Sequence, residues 1–170
     1  MATTAAGTPY VESSDLVANY PGVSLALANH IDGLDGGKVL QVVSADYSTQ
    51  TSSTSATYVT TGLTATITPS LSTSRIIILA TTSGRKNGTT GQGYYSLFRG
   101  TAAGTNIGPE VNAFGSNSDV YWGLNLSGID SPNTTSAQIY TLCMRVANSN
   151  TILAQTGTLK AQMILMEVAA

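Results

Sequence analysis

From Gly37 to Ala170 the chain is a run of short apolar segments that alternate by residue, stitched together by Ser, Thr, Gly and Asn. Ahead of that run, Thr8 to Leu34 carries a helical spacing instead. A switch of hydrophobic period within one chain constrains the fold more than any single residue does. It divides the chain into an N-terminal segment, residues 1–36, an extended arm plus a short helix, and an all-β domain, residues 37–170.

In the β part the alternation predicts strands over 39–43, 57–60, 64–68, 75–82, 94–99, 119–126, 136–147 and 159–168. Residues 69–74 read as a turn, and 84–93, which hold Arg85-Lys86-Asn87, as an exposed loop. Residues 100–115 read as irregular, 127–135 as a loop around Pro132 and 148–150 as a turn. Several short strands separated by regular turn signals imply a sandwich or barrel. A jelly roll has about that number of strands, so a jelly-roll-like antiparallel β-sandwich is expected. The stretches 76–79 and 163–166 are apolar at every position. A sandwich strand with one solvated face alternates. These two either cover a second surface, such as a subunit interface, or lie in the middle of a crowded core.

In the N-terminal segment, residues 1–7 have no apolar stripe and are expected to be extended. Ser13 or Ser14 caps a helical turn that ends before Tyr20-Pro21. Pro21 opens a second helix through Ile31, stopped at Gly33 or at Gly36-Gly37. Leu16, Tyr20, Val23, Leu27, Ile31 and Leu34 are spaced 4, 3, 4, 4 and 3, close to a coiled-coil seam. A helix this short is marginal alone. It must pack on its own sandwich, on copies of itself or on another protein.

Only 9% of residues are charged, where an ordinary globular chain has roughly 25%. Hydrophobic residues stand at 42%, so disorder driven by charge is not expected. A monomer usually stays soluble behind a charged surface. This chain either hides surface in an assembly or is simply a Thr-rich β-protein. Net charge is −2 and the seven basic residues are scattered, which argues against nucleic acid as a partner. The longest apolar runs, such as 76–80, are far too short to span a bilayer. The start of the chain has no cationic-then-apolar leader pattern, so no signal peptide is expected.

Little catalytic chemistry is on offer. His30 is the only histidine and falls in the helical segment. It is a helix-surface or interface residue, or one of three copies meeting on a three-fold axis. Cys143 is the only cysteine; it sits in an apolar strand and reads as a buried, inert thiol. Too few Cys/His ligands exist for a zinc-type metal site. Asp46, Glu110, Asp119, Asp130 and Glu167 form no recognisable pair for glycoside hydrolysis. Residues 100–104 lack the spacing and Lys of a phosphate loop. The N-x-S/T matches at Asn87, Asn125 and Asn133 are expected by chance in a Thr-rich chain. No enzyme, cofactor or metal is expected. Tyr94-Tyr95 and Tyr121-Trp122 are either core aromatics or a platform for neutral sugars. Neighbours in a strand face opposite ways, so at most one of each pair is on one side. Tyr95 and Trp122 are the candidate sugar contacts.

Two stretches resemble a known group. Residues 8–21, Thr-Pro-Tyr-Val-Glu-Ser-Ser-Asp-Leu-Val-Ala-Asn-Tyr-Pro, followed by Ser24-Leu25-Ala26-Leu27-Ala28-Asn29, resemble the N-terminal stretch of bacteriophage tail-fibre and virion appendage proteins. Residues 37–44, 66–69 and 74–79 resemble the β-rich domain of marine and cyanobacterial phage structural proteins. The resemblance implies a homotrimer on the virion surface, made in the host cytoplasm, that binds other virion proteins through its N-terminus. The implied attachment residues are Pro9, Tyr10, Val11, Leu16, Tyr20 and Pro21. Those of the trimer interface are Val23, Leu27, Ile31, Ile164, Leu165 and Met166. No repeat lies between Leu34 and Lys38 to form a shaft, which favours a short fibre or capsid cement protein over a long fibre. The alternative function is a receptor-recognition module that binds a host surface glycan.

Overall fold

The computed structural model describes residues 2–3, 9–10, 24–27, 37–87, 92–113, 120–147, 151–157 and 159–170. The chain divides into two compact units, one of residues 1–38 with Ala170 and one of Val39–Ala169. In the first, β1 (Ala2–Thr3) pairs antiparallel with β2 (Pro9–Tyr10), and a helical turn occupies 24–27. The turn lies within the helix expected after Pro21. The small ladder is new: it makes residues 2–3 and 9–10 a hairpin rather than a plain arm. Val11, Leu16, Tyr20, Pro21, Val23, His30 and Ile31 lie outside the described residues.

The second unit contains β3 (Val39–Tyr47), β4 (Thr51–Ser53), β5 (Val59–Ile67), β6 (Arg75–Asn87), β7 (Gln92–Arg99) and β8 (Thr105–Asn106). It continues with β9 (Val111–Ala113), β10 (Val120–Asp130), β11 (Gln138–Ala147), β12 (Thr151–Ala154) and β13 (Ala161–Val168). One edge of β6 is paired with β10 from Ile76 to Lys86. Its other edge is shared end to end by β13, over residues 75–81, and β12, over 84–87. β13 and β12 pair in turn with β3 and β4. So β3/β4 and β13/β12 are each one interrupted span. The second sheet is built the same way, with β8 and β9 sharing one edge of β7 and the order β5, β11, β7, β8/β9.

Numbering the eight spans in chain order, the sheets read 1-8-3-6 and 2-7-4-5, with antiparallel neighbours throughout. That winding is a jelly roll, two Greek keys rolled into one sandwich. The all-β jelly-roll expectation holds. Between the sheets lies a single core to which Leu63, Ile78, Leu97, Leu142, Met163 and Leu165 contribute, all fully buried.

Three differences from the expected strands have local causes. The segments 57–60 and 64–68 are parts of one strand, β5, bulged at its middle: Thr64 faces Thr141 and Thr60 faces Cys143, so β5 fits four steps where β11 takes two. Gly62 sits in that bulge at φ 92°, and a Cβ there would collide with the Tyr47 ring. β6 runs on through Asn87, into what reads as a loop. Its Gly84 makes room for packing: a Cβ would lie 2.7 Å from the Trp122 indole nitrogen. β4 and β12 are three and four residues long, too short to show a period.

Near the end of β13 the buried Glu167 joins three segments. Its Oε1 accepts from Ser70 N (2.7 Å), Ser70 Oγ (2.8 Å) and Leu71 N (3.2 Å). Its Oε2 accepts from Gln41 Nε2 (2.5 Å), which also donates to Thr68 O (2.7 Å). Burial pushes this carboxyl up, but the hydrogen bonds, led by that of Gln41, outweigh it and hold it down to about 2. A depressed native value stabilises the fold above the ordinary value of about 4.5, and the gain is lost as pH falls towards about 2. Glu167→Gln should therefore cost on the order of 2–3 kcal/mol at neutral pH, because it sets an amide N–H against donors. Urea unfolding at pH 7 and along a series down to pH 2 checks this. The wild type should lose stability in that acid window, and the variant should lose much less.

Candidate functional site

β6 and β13 resolve the question that their double-sided pattern raised. Ile76, Ile78, Met163 and Leu165 point into the core, and Ile77, Leu79, Ile164 and Met166 point out of the first sheet. The outward residues are in register with apolar neighbours. Met166 lies opposite Val42 on one side and Ile77 on the other, and Ile77 lies opposite Ile129. One unbroken apolar row therefore crosses all four columns, about 14 Å at the usual strand spacing. One step along, Ile164 and Leu79 form a second row between Ser44 and Ser127. Val42 is 59% exposed and Ile129 is 64% exposed. The face ends in a polar row, where Gln162 Nε2 donates to Asp46 (3.1 Å) and Lys160 lies 4.0 Å from the same carboxylate. A contiguous apolar sheet face bounded by polar groups is the usual form of a protein contact surface.

The structure corrects the expected site residues in part. Leu165 is core, packed among Ile78 and the facing sheet, so it cannot line an interface; Ile164 and Met166, on either side of it, do face outward. Leu27, in the helical turn, is exposed. Pro9 and Tyr10 lie in β2. Tyr95 is 0% exposed, with its hydroxyl donating to Leu153 O at 2.6 Å, so it is no sugar contact. Trp122 also packs inward, against Gly84, and its Nε1 finds no acceptor among the described residues. In each aromatic pair the outward member is the other one, Tyr94 or Tyr121.

Tyr94 belongs to a cluster on the outer face of the second sheet. The Arg145 guanidinium lies 4.2 Å from the Tyr94 ring centre and 5.4 Å from that of Tyr58. Its Nη2 and Nε donate to Glu110 at 2.7 and 3.1 Å. The Tyr58 hydroxyl donates to the same carboxylate, and the Tyr58 ring packs on Phe98 at 4.9 Å. Burial, and then the bond to Glu110, push the Tyr58 phenol up to about 12. Burial alone would raise the Glu110 carboxyl, but Tyr58 and Arg145 together hold it below the ordinary range. Sequence reasoning had no signal for this cluster, since Glu110 and Arg145 are 35 residues apart.

Among the described residues no group of three or more His, Cys, Asp or Glu is placed to hold a metal ion. Burial pushes the Cys143 thiol up to about 12, which makes it a poor nucleophile. Among the described residues no helix is long and apolar enough to cross a membrane.

No protein-family model matches the chain, and no curated protein does. Among solved structures it is similar to the VP2 subviral particle of infectious bursal disease virus, with 14% identity and a TM-score of 0.36 over 76% of this chain and 38% of that one. The Gx strain of the same virus gives 10% identity and a TM-score of 0.37, over 78% and 39%. Bacillus endospore appendages, which form disulfide-linked pili, give 18% identity and a TM-score of 0.24, over 69% and 90%. The chain thus spans under two fifths of the viral chains it matches. Similarity at this level assigns no function.

Proposed function

We propose that this chain is a non-enzymatic structural protein of a bacteriophage virion. It is a homotrimeric surface appendage, a short fibre or capsid cement protein, anchored through residues 1–36. The observation that carries the reading is the bare apolar face of the first sheet. A chain with so little charge gains by covering such a face, at roughly 25 cal/mol for each Å² of apolar surface removed from water. Copies of the same chain supply a matching apolar surface. Ile164 and Met166 form the interface with Val42, Ile77, Leu79 and Ile129. The trimer, the phage particle and the attachment role of Pro9, Tyr10, Val11, Leu16, Tyr20 and Pro21 are supported by the resemblance of residues 8–29 to appendage N-termini. The partners of that segment are capsid, neck or tail proteins, and the protein is made in the host cytoplasm before it joins the particle surface.

Light scattering on the purified full chain should give about three times 17.5 kDa. A stable monomer at micromolar concentration refutes the trimer. Ile129→Asp places a charge on an already exposed position, so the monomer's own stability should change by no more than about 0.5 kcal/mol. Its assembly should be lost. Leu165→Asp buries an unpaired charge in the core and should cost several kcal/mol, enough to unfold the domain. If Ile129→Asp still assembles like the wild type, the first sheet's outer face is not the interface.

A further inference from the structure

The second sheet's outer face, on the opposite side of the sandwich from the exposed apolar rows, carries a groove of about 1010 Å³. Its floor is Thr60 and Thr64 of β5 with Ile139 and Thr141 of β11. Residues 56–58 and 101–103 form its walls, and Arg145 also lines it. Both walls are tied to the sheet. Val146 N donates to Ser55 O (2.8 Å), and Tyr58 is held by Glu110 and Phe98. Gly100 N donates to Ile139 O (2.7 Å), while Thr141 Oγ1 donates to Gly100 O (2.6 Å). The volume is that of a small-molecule site, and the walls are formed before any ligand arrives.

The chemistry of the lining narrows the ligand. The Arg145 charge is neutralised by the two-pronged bond to Glu110, so neither an anion nor a cation finds an unmatched partner. The groove lies over the faces of β5 and β11, and β11 is paired on both edges, by β5 and by β7. An extended peptide therefore has no ladder to join there, and recognition falls to side chains. Those side chains mix hydroxyls with apolar carbon: five threonines, the Tyr58 ring and Ile139, which is 48% exposed. Thr64 is exposed and its Oγ1 makes no hydrogen bond among the described residues. A ligand that matches is uncharged and carries hydroxyls and C–H patches side by side, which is the surface of a sugar ring.

We propose that this groove binds a neutral oligosaccharide, with Thr64, Ile139, Tyr58 and Arg145 as its contacts. The inference does not rest on the virion reading, since the two surfaces share no residue. The test is saturation-transfer NMR and calorimetry on the full chain with maltotriose, cellotriose, mannotriose and triacetylchitotriose, plus a sulfated trisaccharide. At least one neutral sugar should saturate below roughly 10 mM, and the sulfated one should not bind more tightly. Thr64→Arg and Ile139→Arg, both at exposed positions, should each weaken binding at least about tenfold with an unchanged melting temperature. Ile129→Asp, on the other face, should leave sugar binding intact even where it abolishes assembly. The proposal is overturned if no neutral sugar saturates, if the sulfated one is preferred, or if both groove variants bind like the wild type.

Discussion

β6 is the strand on which the first sheet depends, because both of its edges are paired along nearly its whole length. At 13 residues it spans about 43 Å, longer than any single partner on its β13/β12 side. That side therefore has to be filled by two strands in line, and the chain between them must step aside without leaving the column. Gln155 at φ 53° and Gly157 at φ 72° make the step. Gln155 N still donates to Ser83 O at 2.9 Å, so the β6 main chain is not abandoned at the gap. The same device recurs in the second sheet, where β8 and β9 divide one edge of β7 and Ile107 N donates to Leu97 O (2.9 Å) between them. Short strands laid end to end let two long strands keep their hydrogen bonds, which a buried main chain requires.

The two sheets treat their outer faces differently. On the second sheet Phe98 points outward, yet it is buried, with the Tyr58 ring packed on it at 4.9 Å. The segment that carries Tyr58 is fastened where Val146 N donates to Ser55 O at 2.8 Å and where the Tyr58 hydroxyl donates to Glu110. On the first sheet the corresponding outward residues, Val42, Leu79 and Ile129, have no such cover among the described residues and are exposed. A chain able to cover one apolar face with its own segment leaves the other bare. That asymmetry is why the exposed face is proposed to be covered by another copy.

Most of the fold was legible in the sequence, because alternation over five or more residues survives any tertiary context that buries one side. The long strands were visible from this alone. What alternation cannot say is which side is inward when both are apolar. Ile164, Leu165 and Met166 look equivalent in sequence, and only the pairing of Leu165 with Ile78 and Val43 places it in the core. The aromatic pairs fail for the same reason: Tyr95 and Trp122 were the wrong members, since period two fixes opposition but not polarity. Glycines misled twice. Gly62 and Gly84 look like breaks, yet each sits inside a strand to admit a neighbouring ring, Tyr47 or Trp122. Glu167 seemed marginal near the chain end, but the turn after β5 closes onto it across 97 residues. Contacts at that separation leave no local pattern to read.

The contact proposed for the first sheet's outer face has a further consequence for the rest of the surface. A partner on this face meets side chains and not main chain, so no strand has to open, while β3 and β10 remain the edge strands of the sheet. The polar row of Asp46, Gln162, Thr81 and Asn125 then falls at the rim, where water reaches the ions. The outer face of the second sheet, with its hydroxyl-lined groove and neutralised Arg145, lies on the opposite side of the sandwich. A jelly roll is two-sided by construction, and here the two sides differ in chemistry: one can be buried without cost to the other.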